Sequence, residues 1–182
     1  MEKILNEKAT CPALIVRKIL DQYEKASPDI AKGLFQIAAK LDISNPNTQV
    51  PLNHLNELIG WIEKHLGPAN LKMIGNILGE TAFENLMTKK ALPVKASPKE
   101  VIEKLILVLQ AIIQDPFNRY LKVVEIQDKS ARVRKTQTFN NTVEIAIIES
   151  FIRKAGVNFP RTRLIRDYQK GPEYDEYEIT WF

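Results

Sequence analysis

The 182 residues are 45% hydrophobic and 26% charged, the balance of a globular chain rather than a disordered one. A single cysteine, Cys11, excludes an intrachain disulfide and a cysteine-cluster metal site. The net charge of +4 and sequence pI near 9.1 permit a nucleic-acid role without arguing for one. The longest apolar run, residues 105–109, falls far short of the ~20 residues that cross a bilayer. Residues 1–8 lack the apolar core of a signal peptide, so the expectation is a cytoplasmic protein with no membrane span. At roughly 100–200 residues per domain, residues 1–182 are read as one domain, helical over 1–115 and ββαββ over 116–182.

In chain order, residues 12–26 carry Leu14, Ile15, Ile19, Leu20 and Tyr23 at helical spacing. Ser27-Pro28 reads as an N-cap followed by proline at the first helical position. The next helix aligns Ile30, Leu34, Ile37, Ala38 and Leu41, and residues 44–49 form a loop by composition. A third helix over about 52–66 shows Leu55, Leu58, Ile59, Ile62 and Leu66. Gly67-Pro68 ends it and opens a fourth, over about 69–88. Ser97-Pro98-Lys99-Glu100 is a capping-box pattern, and the apolar stretch 101–113 after it is expected to be the central buried helix.

Asp115-Pro116 stops that helix and the hydrophobic period changes. Residues 120–127 and 131–139 read as hairpin strands around Asp128-Lys129-Ser130. Asn141 and Glu144 read as the cap of a helix whose apolar side is Val143, Ile147, Ile148, Phe151 and Ile152, with Gly156 after it. Residues 162–168 alternate, with Leu164 and Tyr168 facing one way and Ile165 the other. Lys170-Gly171-Pro172 turns the chain. Tyr177, Ile179 and Trp181 then alternate with Glu176, Glu178 and Thr180 in a half-buried strand. The fold class is therefore α+β: an N-terminal layer of about five helices, then a four-stranded antiparallel ββαββ sheet with helices on one face.

This order resembles a superfamily that includes the haem–nitric-oxide-binding (H-NOX) domains, the 4-vinyl-reductase-type domains and the Bet subunits of the TRAPP tethering complex. The residues that carry the likeness are Gly67 with Leu71 to Gly79, Ser97-Pro98-Lys99-Glu100, Ala155-Gly156, and the tail from Gly171 through Glu176-Tyr177 to Trp181. Stand-alone bacterial members of the myxobacterial type look most similar. The resemblance implies a non-catalytic domain that binds a small apolar molecule or a protein partner, as a homodimer. Departures are visible. Asp175 stands where vinyl-reductase-type domains place a cysteine, and Asp128-x-Ser130-x-Arg132 lacks the tyrosine of the H-NOX propionate motif. Cys11 lies too near the start to match the acylated cysteine of the tethering subunits.

Searching for chemistry finds little. The two histidines, His54 and His65, share a helix face but stand about 16 Å apart along it, so they do not ligate one metal together. Either remains available as a single axial haem ligand; no cofactor is assigned. Gly75 and Gly79 sit inside a helical pattern and point to close helix–helix approach. Glu80 and Glu84 read as an exposed pair, Cys11 as a half-buried side chain, and Asn140-Asn141-Thr142 as a helix cap. No residue asks for a catalytic role, and the chain is read as a non-enzyme.

Three functional readings follow, in this order. The first is a sensory ligand-binding domain with an apolar pocket between helices and sheet. Its candidate lining, taken from the resemblance, is Trp61, Ile74, Leu78, Phe83, Leu105, Leu109 and Phe151. The second is a protein-interaction module of the same fold with a packed interior. The third, and least favoured, is a nucleic-acid binder using Lys122, Arg132, Arg134 and Arg163 on one sheet face, against which Glu173, Asp175, Glu176 and Glu178 would weigh.

Overall fold

The computed structural model describes residues 8–93, 95–136, 139–167, 170 and 173–182. Strand β1 (Thr10–Pro12) leads into α1 (Ala13–Ala26) and α2 (Pro28–Ala38). Strand β2 (Gln49–Pro51) precedes α3 (Leu52–Leu66), α4 (Pro68–Thr88) and α5 (Pro98–Ile112). The second part runs β3 (Lys122–Ile126), β4 (Ser130–Lys135), α6 (Asn141–Lys154), β5 (Arg161–Arg166) and β6 (Asp175–Thr180). Five helices thus precede a four-stranded sheet of order β3-β4-β6-β5, every pairing antiparallel. The α+β expectation stands.

Local signals account for several helix ends. Ser97 and Glu100 form the reciprocal capping box: Glu100 Oε2 accepts from the Ser97 amide at 2.7 Å, and Ser97 Oγ accepts from the Glu100 amide at 3.3 Å. Gly67 (φ +79°) and Gly156 (φ +85°) adopt the left-handed conformation that ends α3 and follows α6. Pro68 occupies the first turn of α4, where a missing N–H costs nothing.

Several expectations need correction. The cap of α6 is Asn140, not Asn141: its Oδ1 accepts from the amides of Thr142 (3.0 Å) and Val143 (3.2 Å). Ser27 stands at the N-cap of α2 but makes no side-chain capping bond. The apolar helix α5 is not buried all round, because Leu107 is 54% exposed. The buried centre is α6, where Val143, Ala146, Ile147, Ile148, Phe151 and Ile152 all lie in the core. The second hairpin strand stops at Lys135, and the expected continuation through 137 and 138 lies outside the described residues, as do Tyr168, Gly171 and Pro172.

The small β1–β2 ladder was not foreseen. Thr10 pairs with Pro51, Cys11 with Val50 and Pro12 with Gln49. Thr10 also exchanges two backbone bonds of 2.9 Å with Gln114 just beyond α5. The starts of α1 and α3 and the end of α5 are thereby tied at one point. Beside it, buried Asp115 grips Arg119 through Oδ2–Nε (2.8 Å) and Oδ1–Nη2 (3.1 Å) and accepts from the Phe117 amide (3.0 Å). Burial works to raise this carboxyl, but the bonds to Arg119 and Phe117 outweigh it and hold the group below its usual range.

The two halves meet along α4 and α6. A Cβ on Gly75 would stand 2.5 Å from both Ala146 Cβ and the Val143 carbonyl oxygen. A Cβ on Gly79 would stand 2.6 Å from the Ile147 carbonyl oxygen. Ser150 Oγ donates across the seam to the Asn76 carbonyl at 3.0 Å. The expected close approach of helices is therefore present. Gly75→Ala should destabilise the protein by about 1–3 kcal/mol, since the clashing carbonyl belongs to a helix backbone that yields poorly. Gly60→Ala, with nothing within 4 Å of the added atom, should stabilise by about 0.5–1 kcal/mol. Urea unfolding of both variants measures the difference, and equal effects would contradict the seam.

Candidate functional site

Beside that seam lies a cavity of about 120 Å³. Each neighbouring helix contributes a stripe at helical spacing. From α1 come Leu14, Ile15 and Lys18, preceded by Pro12, and from α3 comes Leu55. From α4 come Leu78, Thr81, Ala82 and Asn85, four positions of one face. From α5 come Leu109 and Ile112, with Ile113 just after it. Phe139 and the α6 residues Glu144 and Ile147 complete the wall. The α4 stripe is offset from Gly75 and Gly79, so one face of the helix meets α6 while another meets the cavity.

Leu14, Lys18 and Asn85 are exposed and mark the outer side. Glu144 is 5% exposed and marks the inner one. Lys135 Nζ donates to Glu144 Oε2 at 2.7 Å, and the pair is buried on both sides. The β4 alternation explains this placement: Ala131, Val133 and Lys135 point inward, so the lysine is delivered into the core. Its ammonium also lies 5.3 Å from the centre of the Phe139 ring and 5.8 Å from that of Tyr177. Tyr177 Oη donates to Asn141 Oδ1 at 2.6 Å. Burial first, and the carboxylates of Glu144, Asp175 and Asp167 second, hold the Tyr177 phenol well above its usual range.

The residues named from sequence fall in different places. Leu78 and Leu109 are on the cavity wall. Ile74 lines a neighbouring crevice with Leu78, Ile19 and Gln22, which leaves no room for a water. Trp61 packs over Gly33, whose Cβ would stand 3.0 Å from Cζ2, and its ring tilts against His65 at 4.5 Å between centroids. Phe83 and Phe151 meet edge to face at 5.8 Å between α4 and α6. Leu105 is core. Helical spacing marks Glu144 only as a cap partner, and Lys135 carries no separate signal in the sequence. Their alternation and helical spacing were visible, but their meeting across the sheet–helix interface was not.

On the outer sheet face the register does bring Lys122, Arg132, Arg134 and Arg163 together. Acid groups answer two of them. Arg132 bonds Glu125 through Nε at 3.1 Å and lies 3.6 Å from Glu176, while Arg163 bonds Glu178 at 2.8 Å. Arg134 lies over Tyr174, 5.2 Å from its ring centre. Glu80 pairs with Lys154 at 3.2 Å.

No family model and no curated protein matches the sequence. Solved structures do match its shape. An H-NOX protein from S. oneidensis, in the Fe(II)NO ligation state, superposes with a TM-score of 0.71 at 9% identity, over 94% of this chain and 99% of that one. The chain has the H-NOX fold. An H-NOX protein from K. algicida aligns at TM-score 0.63 and 11% identity, over 94% and 96% of the two chains. A trafficking protein particle complex subunit 3 from Naegleria fowleri, covalently bound to palmitic acid, aligns at 0.56 and 10%, over 70% and 93%.

The cavity walls do not fit a haem. Its iron is held by His, Cys, Met or Tyr, and none of these stands among the described lining residues. His54 turns to Glu57 (3.2 Å) and His65 to Trp61. Among the described residues no group of three or more His, Cys, Asp or Glu side chains could hold a metal ion, and no helix is long and apolar enough to cross a membrane. Cys11 is fully buried rather than half-buried, and burial pushes its thiol up to about 12. Ellman's reagent at pH 8 should therefore find no reactive thiol in the native protein and one after unfolding in guanidinium. A fast-reacting native thiol would contradict this burial.

Proposed function

We propose that this protein is a non-catalytic, cytoplasmic sensory domain that takes a small apolar molecule into the cavity beside the α4–α6 seam and acts through a protein partner. What supports the reading is the cavity itself: a void walled by leucine, isoleucine and phenylalanine at the junction of the helical layer and the sheet half. It opens to solvent past Leu14, Lys18 and Asn85, which gives a small molecule a way in. Its volume, about 120 Å³, sits just under the roughly 150 Å³ of an apolar cavity that admits benzene. The ligand is then the size of a five- or six-membered ring, much smaller than palmitic acid. For the partner, the open edge strand β3 presents Val123 and Val124, 41% and 42% exposed, and a second copy of the chain is the simplest occupant. The paired charges of the outer sheet face favour this reading over nucleic acid.

Benzene is the probe. At ten times its Kd it should stabilise the protein by about 1.4 kcal/mol, which raises Tm by about 3–5 °C for a chain of this size. Methyl resonances of Leu78, Leu109 and Ile147 should shift in the same titration. Ala82→Leu, which fills the void from α4, should abolish both responses while leaving Tm unchanged or higher. Absence of any benzene response in the natural sequence would overturn the proposal.

A further inference from the structure

We infer that the cavity selects a small apolar molecule carrying one neutral hydrogen-bond donor, an N–H or O–H, which seats on the Glu144 carboxylate. The inference rests on the small-molecule reading above and names the chemistry of its ligand. Among the described lining residues Glu144 is the one acidic side chain, on an otherwise largely apolar wall. It is also the buried polar member of that wall, whereas Lys18 and Asn85 are exposed at the outer side.

A carboxylate is an acceptor with about four lone-pair positions on two oxygens. Lys135 engages Oε2. The bond to Lys135 leaves the other lone-pair positions of the carboxylate for further donors, and Glu144 is among the residues that line the cavity. In a low-dielectric surrounding, a hydrogen bond to such a charged acceptor is strong and a missing one is costly. A ligand that offers an acceptor or a second carboxylate to this wall meets repulsion instead. Its donor is neutral rather than ammonium because Lys135 already balances the Glu144 charge, and a further buried cation would lose hydration without an unpaired anion to meet. Sites built around one buried polar group discriminate sharply against isosteres that lack its complement.

Pyrrole and furan make the test, since they share size and shape and differ in a ring N–H against a ring oxygen. Isothermal titration or ligand-observed NMR should show pyrrole binding about tenfold more tightly than furan or better. Equal affinities would overturn the donor inference while leaving the cavity reading intact. Binding of neither ring, with benzene also silent, would overturn both. The pair Lys135→Met with Glu144→Leu removes the ion pair together, an exchange that buried pairs tolerate, and so avoids stranding a lone charge. That variant should lose the preference for pyrrole over furan. A preference that survives the double substitution would place the donor elsewhere and contradict the assignment.

Discussion

The structure hangs on the absence of two side chains. At Gly75 and Gly79, helix α4 lets the backbone of α6 approach so closely that an added methyl would stand within 2.6 Å of a carbonyl oxygen at either position. α6 in turn is the covering helix of the sheet, burying Val143, Ile147, Ile148 and Phe151. The helical half and the sheet half are thus docked mainly along this seam. Packing is tight at the seam, and the void lies just beside it, where Leu78 and Ala82 leave α4 and Ile147 leaves α6. Ile147 belongs to both, since its carbonyl faces Gly79 and the residue borders the cavity.

A second constraint is electrostatic. Burying Lys135 and Glu144 removes two charges from water, and the cost is recovered only through their short contact and the aromatic faces of Phe139 and Tyr177. Such a pair contributes little net stability. It fixes where β4 sits against α6, and it leaves one polar group bordering an apolar void. The outer sheet face carries more charge, and part of it is answered across the strands, as with Arg132 between Glu125 and Glu176.

Much of this was legible in the sequence because it is local. The capping box at Ser97, the glycine stops at Gly67 and Gly156, and the alternation of Tyr177, Ile179 and Trp181 each depend on neighbours within a few residues. Gly75 and Gly79, four apart inside a helical pattern, announced a close helix contact. Three-residue strands such as β1 and β2 carry no period, so their pairing was invisible. The lining was legible in part. Leu78 and Leu109 follow from apolar stripes, whereas Trp61, Phe83 and Phe151 went to partners set by tertiary packing, namely Gly33 with His65, and each other. Glu144 escaped because a carboxylate three residues inside a helix start has an ordinary local explanation.

The H-NOX fold here encloses a smaller and differently lined space than a haem requires. Its walls offer packing and one buried carboxylate in place of an axial ligand. The central claim is that this space is an apolar pocket with room for a small molecule. Diffraction from crystals held under xenon pressure tests it most directly, because xenon enters dry apolar cavities and is dense enough to locate. The account predicts one strong xenon peak bounded by Leu78, Ala82, Leu109 and Ile147. A cavity closed by side-chain collapse, with no xenon among those four residues, would contradict it.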